Sequence, residues 1–543
     1  MLEKGTQSLV NRTIKLRVLG GLTKKLAAPQ NESLPELKPQ LDVYQKFLEN
    51  LRAFPTKNKS VPNSPIRYSY YKIANKESEA VNRNLLELFA SKKYLPFLAS
   101  EIPKLPPPYV AAAAPMNPKI SVTQLLTDSW CELRSYYDSY ACSRAAPSAA
   151  MVSGTEQHKS LEDRTHKPEI NVTKEIQKNF TPIMMDQLKN FERTLNLISR
   201  FIDLLTIGKA REFAVTAIIN KETKELIDVN NLQKLAFVHQ KSPCYNDQFI
   251  LASGYLDYLR SESYVNGLEK EKWIQNNYSL NTLLETSIKG PLTVIDVKTR
   301  GKPIVTKSKG VLIGHRYQIG LYRKFLGLMS GENVSGINSP ISVDQINETA
   351  YTLLVTDSVQ RGYDVDEPVD PVVGLVMLAN NPWIITMLEQ ICVNDLLGNS
   401  LYDTFHAQQS TDYSWDLSQV NPKDFYQVLE PSLLQRTEQL FTKWKRPLSL
   451  RSITALISKF YPLISKKLSQ NTKIMYYTDG ECFHTSNYLY NPKAINTFME
   501  DKVKFLIGQR PPRPIEKSEI PQKCGFCRFQ SICEYSNLYN PVT

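Results

Sequence analysis

In the stretch Pro291–Arg300, PLTVIDVKTR, Asp296 and Lys298 are separated by one residue within an alternation of side chains. A period of two marks a strand and sends both charges to one face, roughly 6–7 Å apart by strand rise. A carboxylate there can hold a divalent cation, and an ammonium beside it can orient or deprotonate a water. A second carboxylate, Asp257, is the only charge in the apolar strand LASGYLDYL at 251–259, where Gly254 permits close backbone approach. A lone carboxylate is costly to bury unless it is paired or bound to metal. If the two strands pair, Asp257 and Asp296 can share a cation. Read as a helix, GTEQHKSLEDR at Gly154–Arg164 puts His158 and Glu162 at i and i+4 on one face. Both are candidate metal ligands. HRYQIGLYRKFL, from His315, follows the D-x-K strand as an amphipathic helix with Gln318 and Tyr322 on one face and Arg316 and Arg323 nearby. That mixture suits contact with a phosphate backbone.

Cysteines supply a second chemistry. Eight in so long a chain are too few for a disulfide scaffold, yet Cys524, Cys527 and Cys533 crowd into KCGFCRFQSICEY as C-x2-C-x5-C. Three thiolates leave a four-coordinate site one ligand short. Cys131, Cys142, Cys244, Cys392 and Cys482 are the available fourth ligands.

The elements that must position these groups are embedded in 543 residues with 42% apolar and 22% charged side chains. Such a composition buries a sizeable core and argues against wholesale disorder. No run reaches the roughly 18 apolar residues of a membrane span. The formal charge of +12 favours nucleic acid or an anionic surface as partner. Residues 1–30 carry one acid and six Lys/Arg, the composition of a mitochondrial presequence or a basic arm. Residues 31–115 read as an N-terminal helical extension, with helices at 39–54 and 78–95 and a Pro-rich linker from Pro103. The span 116–335 is expected to hold the first part of the core, and the acidic stretch within 336–430 reads as a surface insertion. Residues 431–505 form a basic helical segment that returns to the core, and 506–543 carry the cysteines. Within Phe441–Gln470 there are seven Lys/Arg and no acid, with Trp444, Phe460 and Tyr461 interleaved. Cations for phosphates and aromatic faces for bases, Lys445 and Arg446 among them, suggest a single-strand groove; the competing reading is a solvated helix face whose aromatics are core. No G-x-x-x-x-G-K-[ST] occurs, so there is no ATP motor to separate strands.

In order, G-x-x-x-H, G-x-x-D, D-x-K-T and Q-x-x-x-Y resemble the motif set of RecB-like nucleases of the PD-(D/E)XK superfamily. With SVTQLLTDSWCE, the REF at Arg211–Phe213, and FLIGQRPPRPIEKSEIPQKCGFCRFQSIC, the chain is similar to the fungal mitochondrial exonuclease V family. The resemblance implies an α/β restriction-endonuclease-like fold, a mixed sheet flanked by helices, with helical insertions and a C-terminal iron–sulfur clip. It implies His158, Asp257 and Asp296 as ligands to Mg²⁺ or Mn²⁺, with Glu162 as the alternative to His158, and Lys298 as the catalytic lysine. Gln318, Tyr322, Arg316 and Arg211 would face DNA. Cys131, Cys524, Cys527 and Cys533 would hold a [4Fe–4S] cluster, with a zinc ion on the same thiolates as the rival. The implied activity is single-stranded DNA exonuclease action from the 5′ end in the mitochondrial matrix, by a monomer, with a single-strand-binding protein as a further partner. A non-catalytic iron–sulfur nucleic-acid-binding protein and a structure-specific endonuclease are the alternatives.

Overall fold

Apolar and β-branched runs on either side of Asp257 and Asp296 pair to form the centre of a six-stranded mixed sheet. The computed structural model describes residues 108–111, 119–126, 131–140, 149–166, 182–228, 248–262, 288, 290–333, 341–361, 363–370, 373–374, 435, 449–527, 529–530 and 533–537. The expectations for residues 1–107, for Lys445 and Arg446, and for most of 371–448 lie outside these. The chain divides into two compact units. One comprises 113–129 and 145–503, and the other 1–112, 130–144 and 504–543.

The sheet belongs to the first unit. Its strands are β1 (Lys119–Ser121), β2 (Lys209–Asn220), β3 (Phe249–Ser261), β4 (Leu292–Thr299), β5 (Asn471–Thr478) and β6 (Glu481–Leu489). Antiparallel β2 lies along the whole of β3. The other edge of β3 is shared, by parallel β1 at Leu251–Ser253 and antiparallel β4 at Tyr258–Ser261. Parallel β5 then follows β4, and antiparallel β6 closes the order. Among the described residues the helices longer than four residues are, in chain order, α1 (Glu132–Tyr140), α2 (Ala149–Thr165), α3 (Pro182–Ile207), α4 (Lys309–Met329), α5 (Val343–Gln360), α6 (Leu450–Ser458) and α7 (Pro492–Leu506). All but α1 lie wholly or mainly in the sheet unit. Among the described residues, no helix is long and apolar enough to cross a membrane.

The strands and helices expected around the motifs form where the patterns place them, but three expectations are corrected. The described start of the acidic stretch is core rather than a surface insertion. Tyr351, Leu353 and Val355 of α5 are fully buried. Asp357 sits between Arg193 (2.9 Å) and Arg361 (2.7 Å), which hold its carboxyl at about 2 against the cost of burial. Likewise, the described half of the basic segment is not a groove. Phe460 and Tyr461 pack on Phe201 of α3, with ring centroids 5.3 and 5.0 Å away. Arg451 is buried in a bidentate pair with Asp366. Aromatic spacing served the core because α6 carries an apolar face toward α3 and α5.

Arg323, read from sequence as a backbone-contacting cation, is also inside. Its guanidinium donates to both oxygens of Glu332 at 2.7 Å and to the carbonyls of Ser469 and Leu468. Neither side chain of the pair exceeds 5% exposure. Removing one partner strands a buried charge, so Arg323→Met should cost about 3–5 kcal/mol in urea unfolding, whereas Arg323→Met with Glu332→Leu should cost much less.

Candidate functional site

Position in the sheet follows from register. Tyr258 pairs with Ile295, so Asp257 stands opposite Asp296 across β3 and β4. Val297 N–H donates to Asp257 Oδ2 at 2.8 Å, fixing that carboxylate. Asp296 is completely buried. Lys298 Nζ donates to its Oδ1 at 3.1 Å and lies 2.9 Å from Oδ2, off the hydrogen-bond direction, so Oδ2 accepts no hydrogen bond. The same ammonium donates to Gln318 Oε1 at 2.8 Å. Gln318 in turn donates to the Tyr322 hydroxyl at 3.5 Å. Burial pushes Asp296 up to about 7, the Lys298 charge opposes this, and Asp257 adds to it. Asp257 is raised by the same burial.

His158, Asp257 and Glu212 place one ligand atom each within 4.8 Å of one another. Glu212 is the residue that sequence reasoning missed. It lies in the REF that was noted at Arg211–Phe213, between the paired Arg211↔Tyr258 and Phe213↔Leu256, and so opposite Asp257. Its φ of 51° is left-handed, a conformation that costs a non-glycine residue free energy and that the strand pattern does not announce. Burial raises its carboxyl to about 7. A buried pair braces it from behind. His166 Nδ1 meets Asp203 Oδ2 at 2.6 Å, while Nε2 accepts from Arg211 N–H at 2.9 Å. Because Nε2 accepts, the proton is on Nδ1. Glu162, the alternative to His158 in the sequence reading, is not in the group. One turn beyond His158, it pairs with Arg200 at 2.5 Å.

The residues expected to face DNA separate. Arg211 is buried over the Tyr258 ring at 4.8 Å, because its strand neighbour on that face is an aromatic core residue. Tyr322 is also buried, and a Cβ on Gly254 would come within 2.8 Å of its ring. The glycine of G-x-x-D and the tyrosine of Q-x-x-x-Y therefore serve each other, and Tyr322 supports Gln318 rather than a ligand. Arg316 is exposed, 6.0 Å above the Tyr488 ring.

In the second unit, Cys131, Cys524, Cys527 and Cys533 line a single pocket with Tyr137, Ile515 and Phe529. All four are free thiols, and burial raises each of them, Cys533 to about 12. The turn from Cys524 to Cys527 is closed by Cys527 N–H to Cys524 C=O at 2.9 Å. Buried Glu132, next to Cys131, takes both guanidinium nitrogens of Arg510 at 2.6 and 2.8 Å and the Arg513 N–H at 2.8 Å. This clamp holds Cys131 to the C-terminal stretch.

Fold and site define an α/β protein with a carboxylate–lysine centre suited to a hard cation. The chain belongs to the exonuclease V family: a family profile described as exonuclease V, a 5′ deoxyribonuclease, matches residues 113–536. Relatives named "Exonuclease V, mitochondrial" from Vanderwaltozyma polyspora, Eremothecium gossypii and Saccharomyces cerevisiae (strain S288c) are each 26% identical to it. The alignments cover 77% of this chain and 74%, 76% and 74% of those proteins.

The raised carboxyl of Asp296 has a thermodynamic signature in metal-free protein. Between its ordinary value of 3.8 and about 7 the folded state holds a proton that the unfolded state has lost, so this group's contribution to stability falls as pH rises. Unfolding measured in chelator should show Asp296→Asn gaining on the parent chain from pH 4 to 7, with the difference level above that. A difference independent of pH contradicts the assigned burial.

Proposed function

We propose that this chain is a mitochondrial 5′ exodeoxyribonuclease that hydrolyses phosphodiesters of single-stranded DNA at the centre of His158, Glu212, Asp257, Asp296 and Lys298. The observation that carries the reading is Lys298 held between Asp296 and Gln318, beside a cross-strand set of acids. An imidazole nitrogen and two carboxylate oxygens within 4.8 Å, with a buried Asp296 oxygen that accepts no hydrogen bond, fit a hard divalent ion. Mg²⁺ or Mn²⁺ bound there supplies Lewis acidity at the scissile phosphate and lowers the pKa of the attacking water.

The chain's own groups do the rest. Val297 N–H and the His166–Asp203 brace keep Asp257 and Glu212 aimed at one point. Gln318 fixes the Lys298 ammonium, which orients the water in line and screens the growing charge on the phosphoryl oxygens. The water oxygen bonds to phosphorus and one P–O ester bond breaks; one proton leaves the water and one is taken up by the departing alkoxide. The succession β2–β3–β4–α4, with β5 returning beside β4 after α5 and α6 and with Asp257, Asp296 and Lys298 on β3 and β4, supports reading the fold as PD-(D/E)XK. Single-strand preference, in keeping with the exposed Arg316 above the half-buried Tyr488 ring, and a monomeric, matrix-located enzyme complete the proposal.

The four-thiol pocket fits a [4Fe–4S] cluster, because four cysteines converge in a mostly apolar lining without forming disulfides. Cys131, Cys524, Cys527 and Cys533 would hold it, and the cluster would cross-link the two stretches that Glu132 and Arg510 already join.

Asp296→Ala should lower cleavage of end-labelled single strands in Mg²⁺ by about a thousandfold or more while DNA binding stays measurable. Circular single strands should remain intact, and nicking of them would favour the endonuclease reading. Anaerobically purified protein should be brown with about four iron and four sulfide per chain, both lost in Cys527→Ser. Zinc without sulfide would contradict the cluster.

A further inference from the structure

The sheet face that carries Lys298 continues away from the acids. Lys298 pairs in register with Tyr476 on β5, and Tyr476 with His484 on β6. Two residues beyond Lys298, just past the end of β4, Arg300 is anchored by its N–H to Tyr477 C=O at 2.8 Å. Its guanidinium carbon lies 5.9 Å from the Tyr476 ring centroid. From α4, three residues before Gln318, His315 brings Nδ1 to 3.4 Å from the Tyr476 hydroxyl.

Arg193, Arg200, Arg323, Arg361, Arg451 and Arg510 all have carboxylate partners. Arg300 has none among the described residues, and its buried Nε donates to nothing. Burial, followed by the charges of Lys298 and Arg300, pushes His315 down to about 3, and of these two cations only Lys298 has a carboxylate partner, Asp296, among the described residues. An arginine fork and an imidazole N–H mounted on a buried tyrosine, half-shielded from water, match the oxygens of a phosphate.

We propose that Arg300 and His315, positioned by Tyr476, form a second phosphate subsite beside the scissile position. This rests on the nuclease reading above. The ligand is a phosphate of the same DNA strand, an internal diester next to the scissile one or the 5′-terminal phosphate. Charge-assisted hydrogen bonds to that phosphate exist before and during cleavage, so they act on binding more than on turnover.

The test uses full-length protein in Mg²⁺ with end-labelled single strands. One series carries a single neutral methylphosphonate at successive linkages, and another compares 5′-phosphate with 5′-hydroxyl ends. Arg300→Gln should lower kcat/KM about tenfold, carried by KM, with Arg300→Lys intermediate. Neutralising one particular phosphate should cost the parent enzyme about tenfold and Arg300→Gln almost nothing, while the other linkages affect both equally. A loss at one linkage identifies the diester, and a loss confined to the 5′-hydroxyl strand identifies the terminal phosphate. The proposal is overturned if Arg300→Gln and Arg300→Lys, both folded by thermal melting, keep the parent KM, or if every neutralised position costs parent and variants alike. Failure of the parent enzyme to cut the unmodified strand would instead remove the nuclease reading on which the subsite rests.

Discussion

Antiparallel pairing of β3 with β4 is the constraint on which the rest depends. It sets Asp257 opposite Asp296 and uses the Val297 N–H to hold the first against the second. Burial raises both carboxyls above their ordinary range, and a like charge adds to each, Glu212 for Asp257 and Asp257 for Asp296. A one-residue slip would send every side chain of β4 to the opposite face and dissolve the site. Register is protected by what lies behind it. Ile295 and Val297 pack with Tyr258 and with Leu161 of α2, the helix that carries His158. The core contact and the candidate ligand are thus parts of one helix–sheet packing.

The centre is destabilising by construction. Glu212 combines a left-handed backbone with a buried carboxyl, and Lys298 is the only cation bonded to Asp296 among the described residues. Its surroundings are correspondingly firm. His166 and Asp203 close on the Arg211 N–H, Tyr322 fills the space left by Gly254, and Gln318 holds the ammonium. The first brace joins the end of α2 to α3 and the other two come from α4, so the site is fixed from outside the sheet.

Much of this was legible in the sequence, because strands and helices repeat with periods that side-chain chemistry exposes. The alternation around Asp296 and the apolar run around Asp257 placed both acids on strands, and the i, i+4 spacing placed Gln318 and Tyr322 on one helix face. Glu212 was not legible as a ligand, since positive φ has no signature in a run such as KAREFAV. Between His158 and its alternative Glu162 the sequence left the ligand open, because the partner that occupies Glu162, Arg200, is 38 residues away on another helix. Reading Phe460, Tyr461 and Arg451 as a groove failed for a related reason. Interleaved aromatics and cations look alike whether they meet DNA or, as here, Phe201 and Asp366.

The central claim is that the strand pairing builds one cation centre from His158, Glu212, Asp257 and Asp296, without Glu162. Calorimetric titration of the metal-free protein with Mn²⁺ tests it most directly. The account predicts binding at this centre that is lost in Asp257→Asn, weakened at least about tenfold in Glu212→Gln, and unchanged in Glu162→Gln once folding is matched. Mn²⁺ binding that survives Asp257→Asn and Glu212→Gln but disappears in Glu162→Gln would contradict it.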